Sequence, residues 1–159
     1  MSSKLRSSKW FFAPSCSRMW ILLPISYSII IQILTGIPKP NALKEAAVHE
    51  LFIQISEGIF DYPFWLQDLS HFPLFFLFAW LWTWYIRRFQ QTIPTLLCTL
   101  FITISFAVIN ELTQFFIPQR FPSVGDIIMN LSGVFSALFL HSICISRMQI
   151  LITEDPAQN

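Results

Sequence analysis

The chain has 159 residues and a net charge of +1; 54% of its residues are hydrophobic and only 12% are charged. A soluble domain carries about 25% charged residues, so this composition excludes an ordinary soluble protein and indicates one whose main partner is membrane lipid. A charge this close to neutral gives no reason to expect a nucleic-acid partner. The three cysteines are widely separated and match no disulfide or zinc motif.

Four apolar segments follow one another along the chain. Each is long enough, or nearly so once its flanks are added, to form a transmembrane helix of about 20 residues. We therefore predict an all-α, polytopic membrane protein with four transmembrane helices. The first segment follows several basic residues and resembles an uncleaved signal anchor. The four segments cover residues 19–37, 72–86, 93–117 and 127–145.

Capping residues predict where the second and fourth helices begin. Asp68 or Ser70 is expected to cap the second helix, with Pro73 in its first turn. Ser123 is expected to cap the fourth helix, where it forms a capping box with Asp126.

The basic residues predict the orientation. Seven of the ten lie before the first span, between the second and third spans, or after the fourth. Segments rich in lysine and arginine stay in the cytoplasm, so we predict a protein of the plasma membrane with both termini cytoplasmic. The predicted parts are a cytoplasmic flank, a first span, an outer segment, a core of three spans and a cytoplasmic tail, at residues 1–18, 19–37, 38–68, 69–145 and 146–159.

The outer segment has an amphipathic pattern over residues 42–59, in which apolar residues recur every four positions. Asn41 is expected to cap this helix and Gly58 to stop it. The pattern predicts an interfacial helix on the outer surface; a lid packed on the bundle is the alternative. His49, on the polar face, is expected to be solvated.

Glu111 is the most informative residue, because it lies inside an apolar span. A carboxylate there is costly unless it is paired, neutralised or hydrated, and such residues usually mark a functional site. Gln114 lies one turn further along the same face. Arg120, in the following loop, is long enough to reach back to Glu111 or to Asp126; a structural ion pair with Glu111 is the alternative.

Two further helices supply polar groups. In the fourth span, Asp126, Asn130 and Gly133 form one stripe, in which the small residue permits close helix contact and the amide can bond across helices. His71 enters from the start of the second span, with Asp68 one turn earlier. We therefore predict one pocket in the outer leaflet, formed by Asp68, His71, Glu111, Gln114, Arg120, Asp126 and Asn130.

The order and spacing of these residues resemble the signature of the VanZ-like membrane family. The resemblance covers about residues 68–139 and departs at Leu69, where the family usually has a lysine. It implies a four-span protein of the cell envelope and a context of resistance to the glycopeptide teicoplanin. The matching residues are Asp68-x-x-His71-Phe72 and Glu111-x-x-Gln114-x-x-x-Pro118-x-Arg120-x-x-Ser123-x-x-Asp126-x-x-x-Asn130-x-x-Gly133.

Three functions fit these residues. In the first, the pocket binds a lipid-linked cell-wall intermediate or a glycopeptide at the outer leaflet; the ligand-binding residues are Glu111, Gln114, Arg120, Asp126, Asn130 and His71. In the second, a membrane-embedded hydrolase or transferase acts on lipid phosphate or glycan linkages, with His71 as acid or base, Asp68 orienting it and Glu111 as a second titrating group. In the third, the polar residues only fix the packing of the helices. Without an HExxH motif, we expect neither a metal nor a cofactor.

Overall fold

A computed structural model describes residues 17–87 and 93–153, and within these ranges the chain is helical, without strands. A short 3-10 turn, Arg18–Ile21, leads into the first helix. Four helical segments are long and apolar enough to cross a membrane: Arg18–Thr35, Phe64–Ile86, Ile93–Gln114 and Val124–Cys144. The predicted fold class is therefore confirmed. The helices are α1 (Leu22–Thr35), α2 (Pro40–Glu45), α3 (Glu50–Phe60), α4 (Phe64–Ile86), α5 (Ile93–Gln114) and α6 (Val124–Thr153).

The second membrane-spanning helix, α4, begins earlier than predicted. Pro63 precedes its first residue and has extended backbone angles, φ −55° and ψ 145°, which suit a residue just before a helix. Asp68 and Ser70 therefore lie inside the helix, and the prediction that one of them caps it is wrong. Pro73 is also an interior residue. Such a proline is tolerated in a membrane helix because neighbouring groups satisfy the backbone bond that it cannot form.

The helix α5 ends at Gln114, three residues before the predicted end of the span. The chain continues in tight turns, in which the N–H groups of the next three residues donate to carbonyls three positions earlier. A turn from Ile117 to Arg120 follows, closed by a 3.1 Å hydrogen bond between the Arg120 N–H and the Ile117 carbonyl. Pro118 and Gln119 occupy its centre, and Gln119 has a φ of +61°, as a type II turn requires. This turn directs Arg120 back toward the bundle.

Ser123 caps α6 as predicted. Its hydroxyl oxygen accepts hydrogen bonds from the backbone N–H groups of Gly125 at 3.1 Å and Asp126 at 3.4 Å. The part of this helix that is apolar enough to span a membrane ends at Cys144, close to the predicted end of the span at residue 145. The helix itself continues to Thr153, into the segment predicted to be a polar tail. The reason is local: residues 146–153 contain neither glycine nor proline, and nothing in them stops a helix.

The predicted single outer helix is in fact two, α2 and α3, which we call the hairpin. Lys39, not Asn41, is the residue before α2, and Pro40 is its first residue. The break falls at Ala47, which has a φ of +50°. The Val48 N–H donates to the Leu43 carbonyl, and the Ala47 N–H to the Lys44 carbonyl, both at 3.1 Å. These two bonds define a Schellman motif, which ends a helix.

The second helix of the hairpin, α3, is capped by His49, whose Nδ1 accepts a 3.2 Å hydrogen bond from the Leu51 N–H. His49 is exposed, as predicted, but it also has this structural role. Gly58 lies inside the helix, which ends at Phe60, so Gly58 is not the predicted stop. The apolar side chains of Leu51, Phe52 and Ile55 are about half exposed, which favours contact with the membrane interface over a packed lid.

Ala47→Gly is expected to strengthen the end of α2. A left-handed conformation costs a residue with a side chain about 1–2 kcal/mol, and glycine avoids this cost. Part of the gain is offset, because glycine makes the unfolded chain more flexible. Hydrogen exchange of the Val48 amide should therefore slow in the variant. Ala46→Gly is the matched control, because Ala46 has a φ of −81° and gains nothing from glycine. Equal exchange rates in the two variants would contradict this account.

The core of the bundle lies between α4, α5 and α6, with one residue of α1. Helices α4 and α6 have the most extensive contact, and Gly133 allows it: a side-chain carbon built there would lie 2.4 Å from the Phe72 carbonyl oxygen. Phe78 and Phe106 pack at a centroid distance of 4.5 Å. The buried apolar core consists of Ile31, Phe75, Phe78, Ala79, Ala107, Val134 and Ala137.

Candidate functional site

The seven predicted polar residues lie together at the end of the bundle that carries the hairpin, which we call the hairpin end. They come from the first turns of α4, the last turn of α5, the following loop and the first turns of α6. Hydrogen bonds and charge interactions connect them in space, each to the next, in a chain that begins at Asp68 and ends at Arg120. We call them the polar cluster: Asp68, His71, Glu111, Gln114, Arg120, Asp126 and Asn130.

Glu111 is the centre of the polar cluster. Its Oε1 accepts hydrogen bonds from Asn130 Nδ2 at 3.2 Å and Gln114 Nε2 at 3.5 Å. The backbone N–H of Ser123 faces the same carboxylate. Only 2% of Glu111 is exposed, so the two bonds to Oε1 replace part of the water that the carboxylate loses, while Oε2 has no hydrogen-bond partner among the described residues. The bond to Asn130 joins α5 to α6.

His71 is the next residue in the cluster and joins α4 to α6. Its Nδ1 lies 3.0 Å from Asn130 Oδ1. Because that amide oxygen can only accept, Nδ1 carries the hydrogen. The other ring nitrogen, Nε2, lies 3.7 Å from Asp126 Oδ1, which is longer than a hydrogen bond. Nε2 therefore lies beside Asp126 but forms no hydrogen bond with it.

Asp68 and Asp126 form a carboxyl pair beside His71. The two side chains are within hydrogen-bonding reach of each other. The backbone of Gly125 approaches Asp68 closely, since a side-chain carbon built at Gly125 would lie 2.9 Å from Asp68 Oδ2. The structure therefore places two carboxyl groups and an imidazole side by side.

Arg120 closes the polar cluster from the loop. It donates to Gln114 Oε1 at 3.1 Å and to the Ile37 carbonyl at 3.4 Å, and its guanidinium carbon lies 5.2 Å from the centre of the Phe60 ring. In the described part of the chain no carboxylate lies within 4.0 Å of it. The predicted alternative, a direct ion pair with Glu111, is therefore wrong, because Gln114 lies between the two.

The Arg120 guanidinium is half-buried. Burial lowers the pKa of this group, while the more distant charges of Asp126 and Glu111 act in the opposite direction. Arginine stays protonated in proteins even so. The polar cluster therefore presents a permanent positive charge, which no carboxylate of residues 17–87 or 93–153 neutralises by direct contact.

Helix α1 forms two polar contacts with α5 near the polar cluster, which the sequence did not predict. The Thr35 hydroxyl lies 2.6 Å from Asn110 Oδ1 and 2.8 Å from the Ile31 carbonyl, so it shares one hydrogen between two acceptors. Gln32 Nε2 donates to Thr113 Oγ1 at 2.7 Å. The available signal was that polar residues interrupt the first apolar segment. Their spacing places them on one face of α1.

A groove of about 720 Å³ borders the polar cluster. The end of α1, the end of α3 and the first turns of α4 form its walls, which are mostly apolar. Two residues of the polar cluster, His71 and Arg120, line it. The volume falls within the range of about 300–1,000 Å³ that is typical of small-molecule sites. A cation and an imidazole thus meet a largely apolar cavity.

A second buried polar site lies toward the opposite end of the bundle, between α4 and α6. His141 is fully buried, and its Nδ1 lies 3.4 Å from Arg87 Nη1. Its ring stands edge-on to that of Trp80 at 4.9 Å. His141 could not be recognised from the sequence, because a lone histidine in an apolar run gives no spacing signal. The polar cluster remains the candidate site, because it borders the groove.

Among the described residues, no three His, Cys, Asp or Glu side chains are placed to hold a metal ion. The chemistry that the polar cluster offers is that of charge, hydrogen bonding and proton transfer by its own side chains. Of these side chains, His71 and Arg120 are the ones on the groove wall. A molecule in the groove would meet these two first.

The fold and the site together define a class: an all-α, multi-pass membrane protein with a buried polar cluster at one end of a helical bundle. A family model described as VanZ/LLP1 matches residues 12–145 of the chain. The match covers most of the 159 residues, and the chain belongs to this family. No curated protein and no solved structure shows significant similarity to it.

Proposed function

We propose that this protein binds the anionic head of a lipid-linked or glycopeptide-type molecule in the groove. One observation carries the proposal: Arg120 lines the groove, and no carboxylate within the described residues forms an ion pair with it. A half-buried guanidinium with unused N–H donors is well suited to phosphate or carboxylate. The apolar walls suit the hydrocarbon part of such a molecule.

The other members of the polar cluster position these two side chains in this proposal. Gln114 holds the guanidinium, and Asn130 holds the His71 ring. Glu111 holds both amides, because Oε1 accepts from each of them. His71 Nε2 then provides a second polar contact for a sugar, amide or phosphate oxygen. The polar cluster acts as a unit whose geometry depends on Glu111.

We further propose that the hairpin end faces outward and that the protein lies in the plasma membrane, with both termini cytoplasmic. The excess of basic residues in the opposite connections supports this orientation. The ligand would then be a lipid-linked cell-wall intermediate or a lipidated glycopeptide such as teicoplanin. The resemblance to the VanZ-like family supports this proposed cell-envelope context.

Mass spectrometry of lipids that co-purify with the gently extracted protein tests the proposal. We expect Arg120→Ala to lose the retained anionic lipid and Arg120→Lys to keep part of it, because lysine preserves the charge but not the paired donors. Glu111→Gln should keep the lipid, since its amide oxygen still accepts from Asn130. Lys44→Ala is the control, because Lys44 is exposed and paired with Glu57 at 2.6 Å. Equal anionic lipid in Arg120→Ala and Lys44→Ala would refute the proposal.

A second candidate function is a membrane-embedded hydrolase or transferase, which the position of His71 favours. His71 lines the groove, and its Nε2 lies 3.7 Å from Asp126 Oδ1. An imidazole next to a carboxyl group is an arrangement that suits a general acid or base. Turnover of a lipid phosphate ester by the purified protein, lost in His71→Ala, would favour this function. Binding that survives His71→Ala without turnover would favour the first.

A further inference from the structure

Two exposed leucines on membrane-spanning helices form part of the groove wall, and we call them the rim leucines. Leu34 of α1 and Leu69 of α4 both line the groove, and 41% and 43% of their surfaces are exposed. On a membrane-spanning helix, an exposed leucine can contact lipid chains without a cost in free energy, whereas its exposure to water would be unfavourable. The gap between α1 and α4 therefore opens toward the bilayer.

Other protein groups also contact the Arg120 guanidinium. The Phe60 ring lies over the guanidinium, the Ile37 carbonyl accepts from one side, and Gln114 accepts from another. Arg120 is the one permanently charged side chain among the described residues that line this groove. The groove therefore offers one cation, which fits one compact anionic group, within mostly apolar walls.

We propose that the ligand is a membrane-resident amphiphile with one compact anionic group, which enters the groove laterally between α1 and α4. This inference rests on the proposed function, because it needs the anion site at Arg120. The anionic group contacts Arg120, and the hydrocarbon chain leaves over Leu34 and Leu69 and stays in the leaflet. A ligand that arrives from the bilayer also benefits from the high local concentration that membrane partitioning gives.

Photolabelling in nanodiscs of zwitterionic lipid tests this entry route. The probe is hexadecyl phosphate with a diazirine at one carbon of the hydrocarbon chain, several bonds from the phosphate, and the labelled residues are identified by peptide mass spectrometry. We expect Leu34 and Leu69 to carry about tenfold more label than Leu77, the ratio for a preference of about 1.4 kcal/mol. Leu77 is the matched control, because it lies on α4, is 42% exposed and does not line the groove.

Competition with the unmodified chain keeps the test independent of whether variants fold. Excess hexadecyl phosphate should remove the label from Leu69, and excess hexadecanol should not, because it lacks the charge. Arg120→Gln should bring Leu69 labelling down to the level of Leu77. Equal labelling of Leu69 and Leu77 in the unmodified chain would overturn lateral entry.

Two failures are distinguishable. If inorganic phosphate or butyl phosphate binds in an Arg120-dependent manner while the rim leucines stay unlabelled, the anion site stands and lateral entry from the bilayer is wrong. If no phosphate probe shows a dependence on Arg120, the proposed function itself fails, and this inference fails with it.

Discussion

Gly133→Ala is expected to destabilise the protein by about 1–3 kcal/mol, as overpacking of a close contact does. The added carbon would lie 2.4 Å from the Phe72 carbonyl oxygen and 2.8 Å from the Phe76 backbone nitrogen. Because both atoms belong to the backbone of α4, no side chain can move aside to relieve the clash. The two helices must separate, and unfolding in detergent should show a lower midpoint.

Gly58→Ala is the matched control for this substitution. Gly58 also lies within a helix, but a carbon added there meets nothing within 4 Å. Alanine is favoured over glycine in a helix by about 1 kcal/mol, so this variant should be as stable as the unmodified protein or more so. If both alanine variants lowered the midpoint equally, close contact at Gly133 would not be what holds α4 against α6.

The separation caused by Gly133→Ala should also affect the polar cluster. His71 lies on α4 and Asn130 on α6, and their side chains are 3.0 Å apart. Gly133 follows Asn130 by three residues on the same face of α6. Loss of lipid retention in Gly133→Ala would thus follow from helix separation, without any change in a cluster residue.

The spans and the composition of the polar cluster could be predicted because both depend on residue type along the chain. An apolar run of sufficient length specifies a membrane helix, and a carboxylate such as Glu111 inside one requires partners. Helical spacing then placed Gln114 on the face of Glu111. Short connections brought the remaining members to the same end.

The ends of the helices were less predictable, because each depends on local backbone geometry. The hairpin breaks at Ala47, an alanine in a left-handed conformation, where the sequence shows no glycine or proline to reveal it. Pro63 precedes α4, which begins at Phe64, eight residues before the predicted apolar segment at residues 72–86. In both places the deciding feature is a backbone angle, which the hydrophobic pattern does not report.

The contribution of α1 and the groove could not be predicted, since both arise from tertiary packing. Thr35 meets Asn110 across 75 positions of sequence, and no spacing rule connects them. Phe60 covers Arg120 only because α3 ends beside the loop that follows α5. The sequence predicted a cation near Glu111 but not that Gln114 would come between them.

Glu111→Leu is expected to destabilise the protein by several kcal/mol, because it removes the acceptor for two buried amides. Asn130 is 0% exposed and Gln114 is 1% exposed, and a buried donor left without a partner costs about 1–3 kcal/mol. Glu111→Gln keeps an oxygen that can accept from Asn130, so its effect on stability should be much smaller. The two variants therefore separate the loss of hydrogen bonding from the loss of charge.

A double-mutant cycle with Asn130→Leu measures how strongly the two residues interact. Replacing both polar partners by leucine leaves fewer buried groups unsatisfied than the single changes do, so the double variant should be more stable than additivity predicts. Interhelical hydrogen bonds in membrane proteins contribute about 0.6 kcal/mol on average and up to about 1.7, and we expect a coupling energy in this range. Unfolding free energies in detergent provide the four values.

The control cycle combines Glu111→Leu with Thr99→Val. Thr99 is fully buried on the same helix, twelve residues from Glu111, or about 18 Å of helix at 1.5 Å per residue. Sites that far apart should be additive to within about 0.5 kcal/mol. If the Asn130 cycle were additive as well, the 3.2 Å contact between Asn130 Nδ2 and Glu111 Oε1 would contribute nothing to the fold. The polar cluster would then not act as one connected unit, because its central contact would not stabilise the fold.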